Sequence, residues 1–138
     1  MTGNNSNSNF LVPLEEAKIR KEEKFAQKFL EGFAIKYDVY RLKKAFADYM
    51  IICQTPTNPN TKNIIIECKQ FLWRKNFYQA CLELLCADRL LTGNNALWIV
   101  CTRFYNMTSS RGKRYENATF LKILDMLGIK VVELKTKK

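Results

Sequence analysis

The chain alternates between apolar stripes and polar breaks in a way that predicts a small set of elements. Counting from Glu22, apolar residues fall at +3, +4, +7, +8 and +11 (Phe25, Ala26, Phe29, Leu30 and Phe33). That is the stripe of a half-buried helix, expected from about Leu14 to Gly32, where the glycine ends it. Residues 1–9 (MTGNNSNSN) are polar and low in complexity and are expected to be an unstructured tail. The β-formers of Ala34–Tyr40, Ala45–Cys53 and Asn63–Lys69 predict strands, the last two separated by the proline- and asparagine-rich turn Gln54–Lys62. Residues 34–69 therefore read as a three-stranded antiparallel meander with a loose second hairpin.

In the second half, Phe77, Ala80, Cys81, Leu84, Leu85 and Asp88 repeat at helical spacing within 72–92, and Gly93-Asn94-Asn95 stops the run. Ala96–Thr102 is almost wholly apolar, as befits a strand covered on both faces. Asn106–Lys113 reads as a polar, mobile loop. A last helix over 115–127 is capped by Gly128, and Ile129–Leu134 forms a last strand. The order is α-βββ-α-β-α-β, one α/β domain over residues 10–134 with a mixed central sheet flanked by helices. Its alternating second half favours parallel pairing. Residues 135–138 are a basic tail.

Charge adds a partner class. In 138 residues, 23 Lys and Arg oppose 13 Asp and Glu, for a formal charge of +10. Such an excess on a small domain is a footprint of polyanion binding, nucleic acid foremost. The absence of His excludes Ser-His-Asp and Cys-His nucleophile systems, His-ligated zinc and imidazole bases. Chemistry must run on carboxylates, Lys, Tyr, Cys or a metal held by oxygen. The five cysteines form no CxxC pair and sit mostly in apolar runs, where Cys acts as a small hydrophobe. With no leader at the start of the sequence and no apolar run long enough for a bilayer, an intracellular protein (cytoplasm or nucleus), neither secreted nor membrane-bound, is expected.

Candidate chemistry concentrates on Ile64-Ile65-Ile66-Glu67-Cys68-Lys69. Strand alternation puts Glu67 and Lys69 on one face and Ile64, Ile66 and Cys68 on the other. An acid and a base after three isoleucines must pair, reach water or bind a cation. Asp48 interrupts the preceding apolar segment. If 46–53 pairs antiparallel with 63–69, Asp48 lies at the same sheet end as Glu67 and Lys69. Two carboxylates beside a Lys offer oxygen ligands to Mg²⁺ or Mn²⁺. The plainer alternative is a cross-strand surface ion pair worth about 0.5 kcal/mol.

Asp48, a long turn and Ile-Ile-Glu67-Cys68-Lys69 resemble the D…(D/E)xK signature of the PD-(D/E)xK, restriction-endonuclease-like nucleases. The element order over residues 14–134 is similar to that family's core, and the segments from Leu97 onward look like Mrr-type and Holliday-junction-resolvase-type members. Ala47 stands where the motif has its Pro, and Asp38 is a rival to Asp48. The resemblance implies a metal-dependent DNA endonuclease. Asp48, Glu67 and the main-chain carbonyl of Cys68 would hold Mg²⁺ (or Mn²⁺), which would acidify a water and neutralise the scissile phosphate. Lys69 would position that water or contact the phosphate, leaving a 5′-phosphate and a 3′-hydroxyl. It also implies an acid on the first helix, for which Glu22 continues the inward stripe and Glu23 stands one position off it, and a helical Gln, for which Gln79 is placed.

Lys43, Lys44, Arg74, Lys75, Arg111, Lys113 and Arg114 are candidates for phosphate contacts, joined by Lys18, Arg20, Lys21 and Lys24 on the first helix. Trp73 and Trp98 are expected to pack rather than stack on bases. No small-molecule cofactor is expected. A chain this short suits a homodimer on a branched or short symmetric site. Two other readings compete: a binding or assembly module of the same fold without catalysis, and RNA cleavage of the tRNA-splicing-endonuclease type, for which the required His is missing.

Overall fold

A computed structural model of the chain describes residues 3–104, 107–108, 114–115 and 117–135. The elements are β1 (Leu11–Pro13), α1 (Gln27–Ala34), β2 (Asp38–Leu42), β3 (Tyr49–Ile52), β4 (Asn63–Cys68), β5 (Phe71–Leu72), α2 (Arg74–Leu90), β6 (Asn95–Cys101), β7 (Arg103–Phe104), β8 (Met107–Thr108), β9 (Arg114–Tyr115), α3 (Asn117–Met126) and β10 (Ile129–Glu133). Six strands make one sheet in the order β1-β2-β3-β4-β6-β10. The first four pair antiparallel as a meander, while β4, β6 and β10 run parallel. Two parallel connections need crossovers, and α2 and α3 supply them. The mixed sheet flanked by helices is the architecture the sequence predicts.

β4 lies at the centre with every residue buried, which is why its apolar run lacks the alternation of a half-exposed strand. Ile65 points to the face covered by α2 and α3, where Met50, Leu84, Ile99 and Leu124 pack with it. Ile64, Ile66 and Cys68 point to the other face, against Ala26, Leu30 and Tyr49. Each isoleucine, leucine or methionine among them, once fully buried, contributes about 1.5–3 kcal/mol. Trp98 packs as expected, its ring 6.4 Å from Phe29 and 6.0 Å from Phe33. The long β3–β4 turn is closed by Asn63, whose Oδ1 accepts from the main-chain N–H groups of Cys53 and Gln54 at 3.0 and 2.8 Å.

Four boundaries differ from expectation. The N-terminal helix divides into 3-10 turns at Leu14–Glu16 and Lys21–Ala26 before α1, which runs through Gly32 to Ala34 instead of stopping at the glycine. The following strand therefore starts only at Asp38. Residues 43–48 are a bent loop rather than the start of a strand, because Lys44 and Phe46 take positive φ angles that strands do not contain. Part of the expected tail is ordered: residues 3–10 form 3-10 turns and buried Asn7 accepts from the Thr92 main-chain N–H at 2.9 Å. Gly128, with φ +73°, terminates α3 as expected. Most of the expected 106–113 loop lies outside the described residues, though Met107–Thr108 pairs antiparallel with Arg114–Tyr115.

Candidate functional site

The antiparallel pairing of β3 with β4 brings the start of one strand beside the end of the other. Tyr49 lies opposite Ile66, so Asp48 sits beside Glu67 and Cys68. Its main chain is fixed on both sides: the Asp48 N–H donates to Ile66 O at 3.0 Å, and the Asp48 carbonyl accepts from the Leu42 N–H at 2.8 Å. Its carboxylate Oδ2 accepts from the Cys68 main-chain N–H at 2.8 Å. Asp38, the rival acid, pairs with Ile52 at the opposite end of these strands.

Glu67 shares the face of Ile65 and is 3% exposed, turned toward α2. Lys69 shares that face, with Nζ 3.5 Å from Glu67 Oε2. The expected convergence of Asp48, Glu67 and Lys69 is therefore present. Cys68 takes part through its main-chain N–H. Its thiol packs on the opposite face, where burial pushes its pKa far up.

Two further acids join from the two sides of the sheet. Glu22 is exposed, while Glu23 is buried and accepts a hydrogen bond from the Tyr49 hydroxyl at 2.7 Å. The inward stripe expected to pass through Glu22 passes through Glu23 instead. The reason is the 3-10 winding of Lys21–Ala26, with three residues per turn, which sets Glu23 beneath buried Ala26. From the other side comes Glu83 of α2, with Oε2 4.0 Å from Lys69 Nζ. Sequence reasoning missed it, although an acid among Ala80, Leu84 and Ala87 on the buried stripe is a visible signal. Gln79, one turn earlier, is exposed.

Four carboxyl groups thus gather at this strand end: Glu67 and Glu83 beside the Lys69 ammonium, and Asp48 between Glu67 and Glu23. Burial raises Asp48 from the ordinary carboxylate range to about 7, the neighbouring Glu23 adding to the rise and the Cys68 N–H opposing it. Burial likewise raises Glu67 to about 10, with the charges of Asp48 and Glu83 adding and Lys69 opposing. One ammonium does not neutralise the cluster. Among the described residues no donor reaches Glu67 Oε1 or Glu83 Oε2, both buried, and the carboxyl–carboxyl contact between Glu67 and Glu83 helps raise Glu67. A shared proton or a cation would satisfy them.

Hard oxygen donors of this kind fit a small divalent cation. Among the described residues no three acidic or thiol side chains are drawn together closely enough to cage one alone. That is compatible with Mg²⁺, which takes one or two carboxylates and completes its shell with water and phosphate oxygens. Glu67 Oε1 is the atom such an ion would satisfy.

Of the residues expected to contact phosphate, Lys43, Lys44 and Lys75 are exposed and Arg74 is half-buried, and all four flank this strand end in sequence. Arg114 begins β9. Arg111 and Lys113 lie outside the described residues. Trp73 is 49% exposed. No helix among the described residues is long and apolar enough to cross a membrane.

The fold has a counterpart among solved structures. The chain superposes on the crystal structure of a repair endonuclease from Pyrococcus abyssi with a TM-score of 0.52 and 14% sequence identity, over 88% of this chain and 49% of that one. It thus shares a nuclease-like fold while spanning about half the length of that structure. No family model and no curated protein matches the chain.

Proposed function

We propose that this protein is a metal-dependent endonuclease that hydrolyses DNA phosphodiester bonds at the β3–β4 strand end. The observation that carries the reading is Glu67. It is buried beside Asp48, with no donor among the described residues reaching one oxygen and Lys69 Nζ 3.5 Å from the other. A structural ion pair has no use for two further carboxyls, since each added like charge raises the energy of a buried site. The fold shared with a repair endonuclease supports the same reading.

Asp48 and Glu67 are the side chains that would hold Mg²⁺ or Mn²⁺, with the Cys68 carbonyl as a third oxygen. When bound, the cation lowers the pKa of water and neutralises charge on the phosphate. The Cys68 N–H and the main-chain bonds of Asp48 fix the first carboxylate before substrate arrives, which reduces reorganisation. Lys69 directs its ammonium to the attacking water or a phosphate oxygen. Tyr49 keeps the Glu23 carboxylate on the cluster, replacing Glu22 as the first-helix acid. Exposed Lys43, Lys44 and Lys75 supply phosphate contacts, and a homodimer would present two such centres to a two-fold DNA site.

The test is cleavage of labelled duplex, single-stranded, flapped and four-way-junction DNA, and of RNA, with Mg²⁺, Mn²⁺ or EDTA. Metal-dependent cutting that disappears in Glu67→Ala and Lys69→Ala is the expected result. Binding without cutting under every metal condition, unchanged in both variants, would leave a nucleic-acid-binding module.

A further inference from the structure

The loop entering β3 takes a backbone conformation unusual for the residues it carries. Lys44 has φ 59° and Phe46 has φ 72°, and the Ala47 N–H bonds back to Ala45 O at 2.8 Å, closing a tight turn centred on Phe46. Turns of this hand are rare and costly for a bulky residue, and such strain persists where it serves a site. Ala45 and Ala47 are buried and anchor the turn, while the Phe46 ring is turned out, 58% exposed.

Two more exposed rings follow the cluster in sequence. Phe71 and Trp73 come two and four residues after Lys69 and are 43% and 49% exposed. Phe71 pairs in register with exposed Arg103. Consecutive Cα atoms are about 3.8 Å apart, so the Cα of Phe46 lies within about 7.6 Å of that of Asp48, and the Cα of Phe71 within about 7.6 Å of that of Lys69. Three exposed rings therefore stand within a few residues of the cluster along the chain, as do exposed Lys43, Lys44 and Lys75. Intact duplex hides the faces of its bases, whereas an unpaired strand presents a ring face at every nucleotide and a phosphate between.

We propose that Phe46, Phe71 and Trp73 form a stacking platform for unpaired bases, so that this face takes a single-stranded segment of nucleic acid, its phosphates against Lys43, Lys44 and Lys75. The fate of the bound strand rests on the nuclease reading, but the platform itself needs neither metal nor cleavage.

The test is therefore made in EDTA, with a fluorescein-labelled 12-nucleotide oligo-dT and a blunt hairpin duplex. The single strand is expected to bind at least about tenfold tighter, because each stacked base contributes a factor of about 5 to 150. Trp73→Ala is expected to lose such a factor with an unchanged salt slope, whereas Lys43→Ala and Lys44→Ala each reduce the slope by about 0.7. Phe46→Gly is the decisive variant. Glycine takes positive φ freely, so the protein should melt at the same or a higher temperature while binding the single strand more weakly. Equal binding of duplex and single strand, no binding of either, or wild-type binding by both aromatic variants would overturn the proposal. Stacking without metal-dependent cleavage would leave the platform standing and remove the nuclease; cleavage indifferent to the rings would do the reverse.

Discussion

Asp48 is bonded to Cys68 across two strands, carboxylate Oδ2 to main-chain N–H at 2.8 Å. The bond fixes one acid against the residue between Glu67 and Lys69, so strand pairing alone aligns the cluster. It also has an energetic opposite: the same carboxylate sits beside Glu67 and helps raise its pKa. Asp48 therefore stabilises the strand end by a hydrogen bond and strains it by charge.

Substitution separates these two effects. Asp48→Asn keeps an acceptor for the Cys68 N–H and removes the charge, so at pH 8 it should unfold at an equal or higher urea concentration than wild type. Asp48→Ala leaves that N–H without its partner and should fall below the Asn variant by about 1–3 kcal/mol. Both should lose cleavage by at least about a hundredfold. An Asn variant less stable than the Ala variant would contradict the bond's role.

The stability of the metal-free chain should fall as pH rises. Asp48 holds its proton to about pH 7 and Glu67 to about pH 10, against ordinary values of 3.8 and 4.5. Between each ordinary value and its raised one, the folded chain binds more protons than the unfolded chain, so alkalinity favours unfolding. The penalty is absent below about pH 4, grows to about pH 7 from both groups and to about pH 10 from Glu67, at up to about 1.4 kcal/mol per pH unit for each. Urea unfolding in EDTA at pH 5, 7 and 9 checks the direction, and Glu67→Gln should flatten the upper part. Mn²⁺ at pH 8 should restore stability to wild type and less to that variant.

Glu23 and Glu22 give a direct comparison between neighbours. Glu23→Gln changes a buried group bonded to Tyr49 and should lower cleavage by about tenfold or more. Glu22→Gln changes an exposed group and should leave both stability, within about 0.5 kcal/mol, and cleavage as they were. Rates that fall equally in the two variants would remove Glu23 from the site.

The features legible in the sequence are those whose physics is periodic. The alternation in Ile64–Lys69 and the proline-rich turn before it were enough to place Glu67, Lys69 and Asp48 at one sheet end, because strand pairing leaves little freedom of register. Glu22 and Glu23 could not be separated in the same way. Their faces depend on whether the local winding is 3.6 or 3.0 residues per turn, and the stripe after Phe25 fits the former while Lys21–Ala26 adopts the latter. The positive φ angles at Lys44 and Phe46 run against both residues' preferences and leave no mark in the pattern. Glu83 was readable, as an acid on an apolar helical stripe, but only a three-dimensional partner gives it meaning.

Lys69 and Glu83 should be energetically coupled, which a double-mutant cycle measures. The Lys69 ammonium lies 3.5 Å from Glu67 and 4.0 Å from Glu83, with Lys69 and Glu83 themselves half-buried. At pH 8 Glu67 holds its proton, so Lys69→Met in wild type chiefly strips the Glu83 carboxylate of its partner. In a Glu83→Gln background that charge is already gone. The loss of stability on removing Lys69 should therefore be smaller in that background by about 0.5–3 kcal/mol at pH 8. Additivity within about 0.3–0.5 kcal/mol at pH 8 would show that Glu83 does not hold the lysine.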